Sequence, residues 1–420
     1  MRLTRFSQAL LVSVLAISSA GSVAETISGN TAESLLPDSN LIRQTLTQLP
    51  AMRTSRFQQD IADAQDQKLQ SGGHEWQLRL SQTERKETGN IRTRDQEISL
   101  ERPVRWFGKT EHDMRLGEKG REVAKIAYAD SWHESARTLL NDWFDSLRTQ
   151  AAVTQYEQQL QLSRQLRDIA AKRVKAGEAA RLDLQLAETE VSKLEAQLQT
   201  AEMQHARQLE LLQYHYPALK LPVVRELPIP SAASAEHRIE AIMEDNHELE
   251  LATLEADYAK LQLSRTAKDE MPDPVIGVRA ARERNGQDTL VGFSIAIPLG
   301  GQSRRADTGQ AAGKAGMAQA RLDVVRQKVW REALKVTQQR NQMYTIWKAL
   351  DQAKRQSEQQ SQLMMKAYQL GEISLSDSLQ IRKTALETAF SAQQAQLDAL
   401  FAEARFELDA HRLWPFDAHH

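Results

Sequence analysis

Between Pro103 and Pro217, and again between Pro298 and Pro415, the chain contains no proline. Proline removes a helical hydrogen bond and clashes with the preceding turn, so each of these intervals can carry helix without a break. The only glycines deep inside them are Gly177 and Gly371. One glycine in an otherwise helix-forming run is where a chain can reverse, because glycine reaches positive φ without steric cost. The spacing therefore predicts two helical hairpins. A limb of roughly 65 residues would be on the order of 100 Å long, more than any compact domain needs.

The two tracts are copies of one unit. Ala176-Gly177-Glu178 with Asp183 behind it matches Leu370-Gly371-Glu372 with Asp377 behind it, at an offset of 194 residues. Upstream, Ile98-Ser99-Leu100-Glu101-Arg102-Pro103 reads against Phe293-Ser294-Ile295-Ala296-Ile297-Pro298, at an offset of 195. Two patterns at nearly one offset indicate a duplication. The unit is a strand pair followed by a long helical hairpin.

In the first copy, a strand fits His74 to Thr83, with Trp76, Leu78 and Leu80 on one face. Glu87-Thr88-Gly89-Asn90 is the turn, and Ile98 and Leu100 mark one face of the return strand. In the second, Ile276, Val278 and Ala280 alternate with Gly277, Arg279 and Ala281. Val291, Phe293, Ile295 and Ile297 alternate with smaller or polar residues across an Asn285-Gly286 turn. On the falling limb of the first hairpin, Leu184, Ala187, Val191, Leu194, Leu198 and Ala201 form an a/d seam for packing against another helix. Leu386, Leu397, Leu400, Ala404 and Leu408 supply the matching face of the second.

The fold class is mainly α with a small β part. The chain divides into a signal peptide (1–24), a first repeat (25–215), a linker (216–235), a second repeat (236–415) and a tail (416–420). The first repeat holds a flexible lead to about residue 40, helix formers from 41 to 69 broken at Pro50, a strand pair about 74–103 and a hairpin about 109–215. The second holds a helix from about Glu236 to Lys268, a strand pair about 274–298 and a hairpin about 304–413. The signal peptide rests on Arg2 and Arg5, the apolar run Ala9 to Ile17, and the small residues Ser22-Val23-Ala24.

Composition sets bounds on function. Apolar residues are 41%, aromatics 5% and charged residues 26%, the balance of long helices wetted over much of their surface. A net charge of −2 leaves no excess of Lys and Arg for a nucleic-acid partner. There is no cysteine, which removes disulfides, thiol catalysis and Cys-based zinc sites. No Gly-rich phosphate loop, nucleophile elbow or helical His pair points to an enzyme or a cofactor. His215, His237 and His247 are scattered, His419-His420 is a free tail, and no metal constellation results.

Four strands cannot close a barrel, and an open apolar sheet in a bilayer would leave its edges unsatisfied. Three chains of four strands would make a barrel of twelve, with the helices packed into a tube below. A small water-soluble sheet carrying coiled coils satisfies the same alternation. The duplicated unit, with Arg173-Val174-Lys175-Ala176-Gly177-Glu178 and Tyr368-Gln369-Leu370-Gly371-Glu372-Ile373-Ser374 at its turns, resembles the TolC family of outer-membrane efflux proteins over nearly the whole mature chain. Asn246-His247-Glu248-Leu249, Pro272-Asp273-Pro274 and Ile297-Pro298-Leu299 resemble its heavy-metal cation efflux (CzcC-like) branch.

That resemblance implies a non-catalytic homotrimer in the outer membrane of a Gram-negative bacterium. It would form a 12-stranded β-barrel in outer-membrane lipid, continued by a periplasmic α-helical barrel. A periplasmic adaptor (membrane fusion protein) and an inner-membrane RND-type pump would complete a tripartite efflux system for small molecules or metal cations. It places adaptor docking on Ala176, Gly177, Glu178, Leu370, Gly371, Glu372 and Ser374 at the tips. It places Asp377, Asp183 and Tyr368 at the aperture, Asp377 in a ring and Asp183 with Tyr368 in a closing bond. Ile373 stands where the best-known pattern has an arginine, which implies a different lock. Trp76, Trp106 and Phe107 fit either an interfacial aromatic girdle or core packing. Type I protein secretion and a periplasmic adaptor are the alternative readings.

Overall fold

The computed structural model describes residues 32–416, except 87, 90, 91, 223–225, 233–237 and 371. The segments read as a signal peptide, the tail from Asp417 onward, Gly371, Ser234 and His237 lie outside the described residues. After a 3₁₀ turn at Ala32–Leu35 come α1 (Ser39–Thr47), α2 (Pro50–Ser71), β1 (Gln77–Lys86), β2 (Arg92–Pro103), α3 (Lys109–Lys175) and α4 (Arg181–His215). The second half runs α5 (Ile239–Met243), α6 (His247–Lys268), β3 (Val275–Glu283), β4 (Asp288–Ala296), α7 (Gln302–Gln369) and α8 (Leu375–Asp409).

The lengths repeat. α2 and α6 have 22 residues each, α3 and α7 have 67 and 68, and α4 and α8 have 35 each. The unit is thus helix, strand pair, long helix and shorter return helix. At about 1.5 Å per residue the long helices run on the order of 100 Å. Each packs against its return helix over the half near the turn, and α2 and α6 cover the half near the sheet.

Three expectations are corrected. The lead does not stay irregular to residue 40: Leu35 is buried and its carbonyl accepts the indole N–H of Trp143 at 2.9 Å. The first strand begins at Gln77 rather than His74, because the His74 side chain is held by Asp273 at 3.0 Å and its carbonyl by Arg102. The single helix from Glu236 to Lys268 is two, α5 and α6. Asn246 breaks it by capping α6, its side chain accepting the Leu249 N–H at 2.9 Å.

The main core sits at the waist. Trp132, Leu139, Leu140, Trp143, Phe144 and Leu147 of α3 meet Ile42, Leu46 and Met52, then Leu212 of α4 and Leu397, Leu400 and Leu408 of α8. Each fully buried side chain of this size is worth about 1.5–3 kcal/mol. Toward the turns the packing thins to small clusters, Leu160 with Val191 and Leu194, and Trp347 with Ala395 and Ala399. On the α4 seam Val191, Leu194 and Ala201 are buried and Leu184, Ala187 and Leu198 half-buried.

The four strands form one antiparallel sheet in the order β1-β2-β3-β4. Its register aligns apolar residues in rows: Leu80, Ile98, Ala280 and Val291; then Leu78, Leu100, Val278 and Phe293; then Ile276 and Ile295. The opposite face carries Arg79, Ser99 and Arg279, and Ser81 and Glu97. Burial on this sheet is inverted. The apolar face is exposed, Phe293 by 67% and Val291 by 84%, while the buried positions, Thr93, Ser99, Gly277 and Ala281, all belong to the polar face. A Cβ on Gly277 would come within 2.8 Å of Ser294 Oγ and 2.9 Å of Glu101 Cγ, so the polar face is the crowded one. Among the described residues no helix is long and apolar enough to cross a membrane.

Candidate functional site

The first hairpin turn is a Schellman cap. Glu178 N–H donates to the Arg173 carbonyl at 2.9 Å and Gly177 N–H to Val174 at 3.1 Å, with Gly177 at φ +77°. Nothing lies within 4 Å of where a Cβ on Gly177 would stand, so the backbone alone requires glycine there. The second turn repeats the outer bond, Glu372 N–H to Ala367 at 2.9 Å, and Leu370 N–H donates to Lys366 at 3.1 Å. Glu178, Leu370 and Glu372 are exposed.

The return helices start differently. Ser374 caps α8: its Oγ accepts the Asp377 N–H at 3.0 Å and donates to Asp377 Oδ2 at 2.6 Å. Ala180 holds the equivalent place before α4 and offers no side-chain cap. Asp183 and Asp377 both sit in a first helical turn, where the helix dipole favours an acid. Both are exposed and Tyr368 is half-buried.

Glu178, Ala180, Asp183 and Ser374 line one groove of about 610 Å³ between the first hairpin and the start of α8. A Lys383 Nζ–Glu190 Oε1 ion pair at 2.7 Å spans it. Ala176, Gly177, Tyr368, Leu370, Glu372 and Asp377 lie outside its lining. Sequence reasoning missed Glu190 and Lys383, and also Leu182 and Leu186, which are exposed. The last two were findable, since they fall off the a/d seam four residues apart.

On the sheet, ion pairs lace the polar face: Arg85 with Asp95 at 2.8 Å and Glu283 at 3.5 Å, Arg79 with Glu101 at 3.9 Å, and Arg279 with Glu97 at 4.0 Å. At the sheet's helical end Trp76 is exposed beneath the Arg102 guanidinium, and Phe107 is 90% exposed. Core packing is thereby ruled out for these two. Below them, buried Lys109 bridges Asp269 at 2.9 Å and Asp273 at 2.8 Å, and Asp273 also accepts the Trp106 N–H at 2.8 Å. This latch fixes the sheet on the helices.

His247 is not isolated, as its sequence position suggested. Its ring packs 4.5 Å from His411 and 6.4 Å from His133, measured between centroids, and His133 lies 4.8 Å from His411. Among the described residues no group of His, Asp or Glu is arranged to hold a metal ion.

No family model matches the sequence, and no curated protein does. Solved structures match over nearly the full length. The CmeC outer membrane channel of Campylobacter jejuni is 12% identical, with a TM-score of 0.67 over 100% of this chain and 95% of that one. A membrane protein from Pseudomonas aeruginosa is 13% identical, with a TM-score of 0.73 over 92% of each chain. The outer membrane protein VceC of Vibrio cholerae is 16% identical, with a TM-score of 0.60 over 89% of this chain and 94% of that one. The mainly helical fold with a small four-stranded antiparallel sheet is therefore the fold of TolC-family channels, as the resemblance in sequence implied.

Proposed function

We propose that this chain is a TolC-family exit duct, a homotrimer in the outer membrane whose helices reach through the periplasm to an adaptor and an inner-membrane RND-type pump. The observation that carries this reading is the inverted burial of the sheet. A face bearing Leu78, Leu80, Val278, Val291, Phe293 and Ile295 has no cover among the described residues, and the polar face beneath it is crowded. Such a sheet suits lipid on one side and water on the other. The edge strands β1 and β4 have 10 and 9 residues. Pairing β1 of one copy with β4 of the next satisfies both edges, and three copies close a barrel of twelve strands. Trp76 and Phe107 then stand at the membrane boundary.

In this reading the groove beside Glu178, Asp183 and Ser374 receives the tip of an adaptor helix. The turn residues Ala176, Gly177, Leu370 and Glu372 shape the surface around it, and the docking role of Gly371 is carried from the resemblance alone. Three copies of Asp377 ring the aperture and favour cations. Asp183 and Tyr368 pair between neighbouring copies. Ile373 contributes no charge to that lock. The chain does no chemistry and carries cargo handed to it, small molecules or metal cations, with secreted protein as the alternative.

Two observations sharpen the choice among readings. A periplasmic adaptor has no use for a bare apolar sheet, so the duct is favoured. Asn246 and Asp273, in the motifs that resemble the metal-efflux branch, cap α6 and hold Lys109. They speak for the fold more than for the cargo. The test is membrane fractionation after an alkaline carbonate wash, with the mass of the detergent-extracted species read from the same fraction. A wash-resistant trimer in the outer membrane is the expected result; a washable species or an inner-membrane one overturns the reading.

A further inference from the structure

His133 of α3, His247 at the start of α6 and His411 just after α8 come together at the waist from three distant parts of the chain. His411 occupies a telling position. Helix α8 ends in a Schellman-type cap, with the Arg412 N–H bonded to the Glu407 carbonyl at 2.9 Å and His411 in the left-handed region at φ +56°. That place usually belongs to glycine or asparagine. Histidine is among the few side chains that tolerate this backbone, and here the cap carries its ring back against the rings of His133 and His247.

The surroundings hold these rings neutral. His133 Nε2 lies 3.2 Å from Asp409 Oδ1, and Asp409 also accepts from Arg137 at 2.8 Å and Arg405 at 2.9 Å. That carboxylate is already shared between two guanidinium groups. His247 Nδ1 and His411 Nε2 are buried without a hydrogen-bond partner, and the nearest acid to His247 Nδ1, Glu250, is 4.0 Å away. Burial lowers the pKa of His133, against the Asp409 hydrogen bond. It lowers that of His247, helped by His133 and opposed by Asp245. Burial with the two neighbouring histidines brings His411 down to about 3.

We propose that the His133–His247–His411 cluster is an acid-released joint, which holds α6 and the chain after α8 against α3 while its rings are neutral and lets them part when the rings take protons. Packed together, the three protonated rings would stand as like charges beside Arg137. Parted, each is solvated at no such cost. The sign follows directly: the parted form binds more protons below about 6.5, the ordinary histidine value, so acid favours it. Other groups facing the joint bear on its size. Asp130, raised to about 6 by burial and by Glu134 and Glu248, gains a proton over the same range and stabilises the closed form. Lys328 of α7 is paired with Glu248 at 2.7 Å. Asp409, held below the usual carboxylate range by His133, Arg137 and Arg405 against its burial, loses its contribution only in stronger acid.

The test is hydrogen exchange on the purified full-length protein at about pH 7.5 and about pH 5, corrected for intrinsic rates. Peptides covering 244–252 and 408–416 are expected to exchange roughly tenfold faster at the lower pH, with the helical turns at 176–180 unchanged. His411→Asn, which suits the left-handed backbone, and His247→Gln should each remove most of that acceleration and leave the Asp130 contribution. Absence of the response in the unaltered protein, or its full persistence in both variants, overturns the proposal. Should a variant fail to assemble, the profile of the unaltered protein decides alone.

Discussion

The waist and the sheet follow opposite rules of burial within one chain. At the waist Trp143 is 2% exposed and Phe144 not at all, as in a protein core surrounded by water. In the sheet the large apolar side chains stand outward and the buried residues are serine, threonine, glycine and alanine on the polar side. Burial tells a core from a surface only when the solvent is known. In the proposed reading the two patterns answer to two solvents, water at the waist and lipid around the sheet, with the Lys109–Asp273 latch at their boundary.

Substitutions in the two regions should act in opposite ways. The largest effect is expected at the waist, where Trp143→Ala removes a buried indole and its bond to Leu35 and should cost about 3–5 kcal/mol of unfolding free energy. Phe293→Arg should have little effect on a water-soluble sheet, yet cost about 2–4 kcal/mol per copy near a bilayer midplane and deplete the membrane-inserted trimer. Ser81→Arg, on the polar face of the same sheet, serves as its control and should insert normally. Equal insertion of the two variants would break the comparison. At the tips, which belong to neither regime, Ser374→Ala should lower stability by about 1 kcal/mol through loss of the α8 cap. Ala180→Ser, at the equivalent place before α4, should return part of that; thermal melting of the pair is the check.

Two smaller effects concern function at the tips. Asp377→Asn should reduce cation preference in single-channel conductance, and unchanged selectivity would remove Asp377 from the aperture. Glu178→Lys should weaken export with trimers intact, and full export would remove it from the docking surface.

The hairpins were legible in the sequence because proline is absent for so long and because Gly177 sits where the cap needs positive φ. The strand faces were legible too, since alternation fixes which residues share a side. Alternation does not say which solvent each side meets; the resemblance implied lipid, and the structure adds that among the described residues nothing covers Phe293 while Gly277 has no room. The division of α5 from α6 was missed because Asn246 acts through one side-chain hydrogen bond, which leaves the helical pattern on both sides intact. The Glu190–Lys383 pair and the histidine cluster join residues far apart in the chain, where no local pattern announces them.

Whether the outer face of the sheet meets lipid can be read residue by residue along β4. The chain has no cysteine, so single cysteines at 291 through 295 can be labelled one at a time without background. Their accessibility to a lipid-phase and to an aqueous quencher is then compared in the reconstituted protein. A lipid-facing sheet gives strict alternation, with 291, 293 and 295 reached from lipid and 292 and 294 from water. Uniform access from water along the strand would contradict it.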